Sequence, residues 1–125
     1  MHKNRPVNLN LLTIRFPVMA IISILHRISG IILFLLLPLV LCGFEYSLSS
    51  QEAFTHLQAI TSSFWVRFFI WVILSSLIYH VIAGIRHLFM DAGIGESKCA
   101  GRYTAYFVLV LSVIVILFLG IGLFK

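Results

Sequence analysis

The chain has 125 residues, of which 61% are hydrophobic, 10% are charged and only four are acidic. A soluble domain runs at about 45–50% apolar and about 25% charged. With a mean hydropathy of +1.09, this composition excludes a soluble enzyme, a disordered tail and a disulfide-stapled secreted domain, and it leaves little material for carboxylate catalysis. Residues 1–125 read as one membrane domain. The net charge of +5 comes from basic residues scattered over Lys3, Arg5, Arg15, Arg27, Arg67, Arg86, Lys98, Arg102 and Lys125. No run suited to a phosphate backbone is present, so nucleic acid is not an expected partner.

In chain order, the first apolar run extends from about Phe16 to Phe44, interrupted by His26 and Arg27. Its second half, IILFLLLPLVLCGF, is uncharged, and Pro38 within it predicts a kink. Cys42 lies in LVLCG, where Leu41 replaces the small residue a lipoprotein cleavage box needs, so Cys42 and Cys99 read as packing residues. The second run covers about 64–90 and the third about 103–124. Each is long enough for the roughly 20 residues that cross a bilayer. The predicted fold is an all-α integral membrane protein with three transmembrane helices. Lys3, Arg5 and Arg15 precede the first span, Lys98 and Arg102 precede the third, and the Glu45–Ser63 loop has no Lys or Arg. Basic residues favour the cytoplasmic side, so the N-terminus and the Asp91–Arg102 loop are expected inside, with Arg67 as a mild exception.

The informative residues are the polar ones within these runs. Ser23, His26, Arg27 and Gly30 fall within an arc of about 100° on a helix, and Ser76, His80, Gly84, His87 and Asp91 within about 80°. Counting helical rise, Ser23 and Arg27 lie about 10 and 16 Å from the inner surface, and Arg86 and His80 about 8 and 16 Å. The two polar stripes therefore overlap in depth. Taken singly, most of these residues have ordinary explanations. A membrane serine commonly bonds back to its own helix, a lone histidine can link two helices, and glycines mark close packing. Arg67 and Arg86 can snorkel from helix ends, and Trp65 and Trp71 read partly as interface anchors. An arginine at the depth of Arg27 costs at least about 2.5 kcal/mol. Two histidines, an arginine and a serine at matched depth point instead to a site.

A neutral imidazole at this depth suits haem iron, and haem propionates need cations such as Arg27 or a nearby histidine. His80 and His87, seven residues apart on one face, cannot clasp one iron from opposite sides. A second ligand has to come from His26 or from a partner's histidine. Quinone carbonyl oxygens need donors, and Ser23 with Arg27, one turn apart, offers a hydroxyl and a fixed charge.

Arg5-Pro6 opening RPVNLNLLTIRFP, followed by Ser23-x-x-His26-Arg27-x-Ser29-Gly30, resembles the first signature of the succinate dehydrogenase (complex II) cytochrome b556 family. The stretch from His80 through Gly84, Arg86, His87 and Asp91 to Gly93 is similar to its second signature. The resemblance covers roughly residues 5 to 93; the third span matches only in being hydrophobic. It implies a multi-pass membrane anchor in a bacterial inner membrane that pairs with a second small anchor subunit and docks an iron–sulfur subunit and a flavoprotein subunit. It further implies that His80 is an axial ligand of haem b iron, with the other ligand on the partner anchor. By the same resemblance, Ser23 and Arg27 contribute to ubiquinone binding, and His26 and Arg27 lie near the haem propionates. His87 and Asp91 carry over only weakly.

The chain has no flavin or nucleotide motif and no cysteine cluster for iron–sulfur ligation, so it cannot oxidise succinate itself. The expected role is a non-catalytic subunit that takes electrons to ubiquinone within the tricarboxylic acid cycle and respiratory chain. Two other readings remain open from sequence: a self-contained transmembrane b-type cytochrome using His26 and His80, and a haem-free structural anchor.

Overall fold

A computed structural model describes residues 16–125. The Arg5-Pro6 opening of the first motif and the basic residues Lys3, Arg5 and Arg15 lie outside them. Four helices follow in order: α1 (Val18–Ser49), α2 (Gln51–Thr61), α3 (Phe64–Asp91) and α4 (Lys98–Phe124). Among the described residues no strand is present. Helices α1, α3 and α4 are each long and apolar enough to cross a membrane. Their outward faces carry large bare side chains such as Phe34, 76% exposed, and Phe118, 71% exposed. Such a surface is stable against lipid tails and not against water.

Helix α1 runs through Pro38, whose missing N–H costs one ladder bond that a membrane helix tolerates, and beyond Phe44 to Ser49, until Ser50 adopts an extended conformation. The Ser50 hydroxyl then accepts the Ala53 N–H at 3.0 Å and starts α2, a short helix the apolar pattern did not predict. The cap serine, Glu52 in the first turn and the Ala53–Leu57–Thr61 spacing all favour it; these three residues form its less exposed face. α4 begins at Lys98, ahead of its uncharged stretch, because the Ser97 hydroxyl caps the Ala100 N–H at 3.2 Å. Between α3 and α4 the chain reverses through Gly93 at φ 79° and Gly95 at φ 80°. The Gly93 and Ile94 amides donate to the Met90 and Phe89 carbonyls, both at 2.9 Å. This paired termination needs a residue at positive φ, which glycine adopts without strain.

The three long helices pack pairwise around Ile22, Ala83, Ala105 and Val108, flanked by Val18, Met19, Tyr79, Ile82 and Leu109. Alanines and Gly101 at the contact let the backbones approach, which is how helices gain dispersion contacts where lipid removes the usual hydrophobic drive. Side chains donating to spare carbonyl lone pairs lock the pairs: Tyr79 Oη to Ile22 O at 3.1 Å and Trp71 Nε1 to Ile116 O at 3.2 Å.

The structure changes three expectations here, for Trp71, Arg86 and Arg67. Trp71 is not an interface anchor: it is wedged between α3 and α4, and a Cβ on Gly120 would come within 3.1 Å of its Nε1. Trp65 by contrast is 75% exposed. Arg86 does not snorkel. It is 6% exposed, and its guanidinium donates from Nη2 to Gly101 O at 3.1 Å and from Nε to Thr104 Oγ1 at 3.2 Å. A charge with two good acceptors on a facing helix gains more by staying inside than by stretching outward. Arg67 also turns inward, donating to Thr61 O at 3.3 Å and Leu123 O at 3.4 Å, carbonyls in the last turns of α2 and α4.

Candidate functional site

The polar stripes of α1 and α3 meet. His26 from α1 stacks on His80 from α3, with ring centroids 4.1 Å apart and planes at 14°. His87, two turns after His80, has its ring centroid 5.0 Å from that of His26, with the planes tilted by 52°. The two stacked rings, His26 and His80, each face a glycine of the opposite helix. A Cβ on Gly30 would sit 3.1 Å from His80 Cε1, and one on Gly84 would sit 3.3 Å from His26 Nε2. The same four-residue step therefore recurs on both helices, His26 to Gly30 and His80 to Gly84, because antiparallel helices bring a ring and a notch together twice. The glycines serve close packing, and their occupants are the two imidazoles.

The hydrogen bonds define the state of His80. Its Nδ1 lies 3.2 Å from the His26 carbonyl oxygen and 3.1 Å from Ser29 Oγ. A carbonyl only accepts, so Nδ1 carries the proton. The Ser29 hydroxyl spends its own hydrogen on His26 O at 2.7 Å, which leaves its oxygen lone pairs to accept from His80. With Nδ1 as donor, Nε2 holds the free lone pair. Metal-bound histidines share this arrangement, the second ring N–H donating to a carbonyl or similar acceptor. His26 Nε2 is buried without a hydrogen-bond partner among the described residues.

Ser23 and Arg27 are set apart from this cluster. They lie about 60° and about 100° round α1 from His26. Ser23 is half-buried and Arg27 is exposed. The first stripe thus divides: His26 turns inward against α3, Ser23 sits at the edge, and Arg27 faces out of this chain. Asp91 is exposed at the end of α3, and Ser76 is half-buried. The sequence pattern gave no role to Ser29, which is 5% exposed. Its signal was present: a serine three residues after a histidine, on the buried side of the same helix, within reach of that histidine's carbonyl.

The stacking bears on ligation. Trans axial ligands each aim a ring nitrogen at one metal from opposite sides, along their ring planes. Face-to-face rings point their nitrogens side by side, so His26 and His80 as stacked here cannot sandwich one iron. Among the described residues, no group of three His, Cys, Asp or Glu side chains could hold a metal ion. A lone imidazole with a free Nε2 is a donor that haem iron, held otherwise by its own macrocycle, can use.

A three-span membrane subunit with an intramembrane histidine cluster is the class that fold and site define. Residues 1–119 match the family described as succinate dehydrogenase/fumarate reductase transmembrane subunit. The succinate dehydrogenase cytochrome b556 subunit of Coxiella burnetii is 46% identical over 122 residues, covering 97% of this chain and 98% of the relative. That of Paracoccus denitrificans is 38% identical over 93 residues, 74% of this chain and 71% of the relative. The succinate dehydrogenase cytochrome b560 subunit of Chondrus crispus is 32% identical over 117 residues, 90% and 92% of the two chains. The chain belongs to this family of succinate dehydrogenase cytochrome b membrane subunits. Membership and the three apolar helices make it a multi-pass inner-membrane protein. The cytochrome b designation of these relatives implies haem b, which the donor set of His80 fits.

Proposed function

We propose that the chain is the haem b- and quinone-binding anchor of a succinate:quinone oxidoreductase, carrying electrons from an iron–sulfur subunit to ubiquinone. The observation that carries this reading is the free Nε2 lone pair of His80, held by an Nδ1–H that donates to Ser29 Oγ and His26 O. His80 would hold the haem iron through Nε2, and a histidine of a second small anchor subunit would complete its ligation, since the stacked His26 is turned the wrong way. His26 and Arg27 serve the propionates, His26 through its unpartnered Nε2. When bound, the haem supplies one-electron redox chemistry at membrane depth.

Ser23 and Arg27 serve the quinone. Arg27 is open on the side of α1 that its own chain leaves uncovered, which suits a site closed by partner subunits. The Ser23 hydroxyl orients one carbonyl oxygen, and the Arg27 guanidinium stabilises negative charge on that oxygen during reduction by two electrons and two protons. The N-terminus is cytoplasmic in this reading, which brings the site to the face where flavoprotein and iron–sulfur subunits dock. The test is purification of the tagged chain from detergent-solubilised membranes. Copurification of a flavoprotein, an iron–sulfur protein, a second anchor and haem b supports the reading. A haem-free chain, or one carrying haem without the other subunits, contradicts it.

A further inference from the structure

Ser29 enters the proposed haem site only as one of two acceptors near His80 Nδ1, yet it has the shortest side-chain hydrogen bond of the histidine cluster, 2.7 Å from Oγ to the His26 carbonyl. It is 5% exposed, so water does not compete for its oxygen. The His26 carbonyl already receives that hydroxyl and stands at the α1 position whose helical partner is the Gly30 amide. A carbonyl has two lone-pair directions, so His80 Nδ1–H, at 3.2 Å, finds it crowded. The Ser29 oxygen at 3.1 Å has lone pairs to spare, and donating its own hydrogen makes it a better acceptor.

We propose that Ser29 is a positioning residue for the haem ligand. Its oxygen accepts from the His80 Nδ1–H beside the His26 carbonyl, which helps aim Nε2 at the iron and strengthens the imidazole as a donor. This rests on the reading of His80 as an axial ligand. An acceptor on the distal ring N–H raises ligand basicity, which stabilises the oxidised iron and holds the midpoint potential down. The shared bond to His26 O orients the ring as well, and Ser29 adds the second acceptor that sets how far the Nδ1 proton is drawn away.

The test is made on the assembled complex in membranes, by potentiometric titration of the haem absorption band and by the low-temperature electron paramagnetic resonance of the oxidised haem. Ser29→Ala should keep its haem and low-spin signal but move the midpoint to more positive values and shift the low-spin g values. Ser29→Thr, which retains a hydroxyl able to bond the same carbonyl, should restore both. Should the alanine complex fail to assemble, Ser29→Cys, of similar size and poorer accepting power, should show the positive shift. Wild-type potential and g values in Ser29→Ala, or in Ser29→Cys if that is the variant that assembles, overturn the proposal. His80→Leu separates the two levels. Survival of the wild-type low-spin signal in that variant removes His80 as ligand and the role of Ser29 with it, whereas its loss combined with an unshifted Ser29→Ala refutes Ser29 alone.

Discussion

The reciprocal seating of histidine against glycine gives a quantitative expectation for alanine at Gly30. A Cβ there meets His80 Cε1 at 3.1 Å and Nδ1 at 3.6 Å, whereas carbon contacts settle at about 3.5–4.0 Å. The ring must give by a few tenths of an ångström. It has little freedom to do so, with His26 stacked at 4.1 Å on one face and two acceptors on Nδ1 at 3.1 and 3.2 Å. Overpacking of this kind costs about 1–3 kcal/mol. Against it stands the helix propensity gained by replacing glycine with alanine, about 0.8–1.0 kcal/mol. The loss wins, and Gly30→Ala should be destabilised by up to about 2 kcal/mol. Gly43, on the same helix, has nothing within 4 Å of its would-be Cβ, so Gly43→Ala keeps only the gain. Equilibrium unfolding of the detergent-solubilised complex, followed by haem absorbance and helical circular dichroism, measures the difference. Gly30→Ala should melt below wild type and Gly43→Ala at or above it. Equal stability of the two variants would refute the packing of His80 into the Gly30 notch.

Other perturbations address the remaining parts of the molecule. On the proposed quinone site, Arg27→Leu removes a charge-assisted donor typically worth about 1.5–3 kcal/mol and Ser23→Ala a neutral one worth about 0.5–1.5 kcal/mol, so quinone turnover should fall tenfold or more in the first and less in the second while electron transfer from succinate to a soluble dye persists. Equal loss of both activities would mean that the residues only hold the assembly together. A double-mutant cycle of Arg86→Leu with Thr104→Val should return a coupling of about 0.6–1.7 kcal/mol, as for interhelical bonds in membranes; zero coupling would contradict the bond between α3 and α4. Alkaline phosphatase fused after Ser50 should be active and fused after Lys98 inactive, with the reverse pattern overturning the cytoplasmic N-terminus.

Much of the fold could be read from hydropathy because membrane helices announce themselves by length and lack of charge. The three long helices arise from that signal. What hydropathy could not convey was local chemistry at the ends: Ser50 and Ser97 cap helices, so α2 forms in a stretch that reads as a loop and α4 starts ahead of its apolar core. Periodicity put His26, His80 and the two glycines on facing stripes, and they meet as the stripes suggest. It could not say which polar side chains would find acceptors on a neighbouring helix. Arg86 and Trp71 therefore read as interface residues although they bond across α3 and α4. Nor could it separate the inward His26 from the outward Arg27 on one stripe, since that depends on where α3 docks. Ser29, part of the first motif, was given no role because a serine's value as an acceptor depends on a ring from another helix.

The account turns on His80 as the haem ligand and on His87 as a neighbour that packs beside the stack. The most direct measurement is the low-temperature spectrum of the assembled complex carrying His80→Leu, set beside His87→Leu. The account predicts that His80→Leu loses or converts the six-coordinate low-spin haem signal, while His87→Leu retains it. Loss of the signal in His87→Leu with its survival in His80→Leu would contradict the assignment.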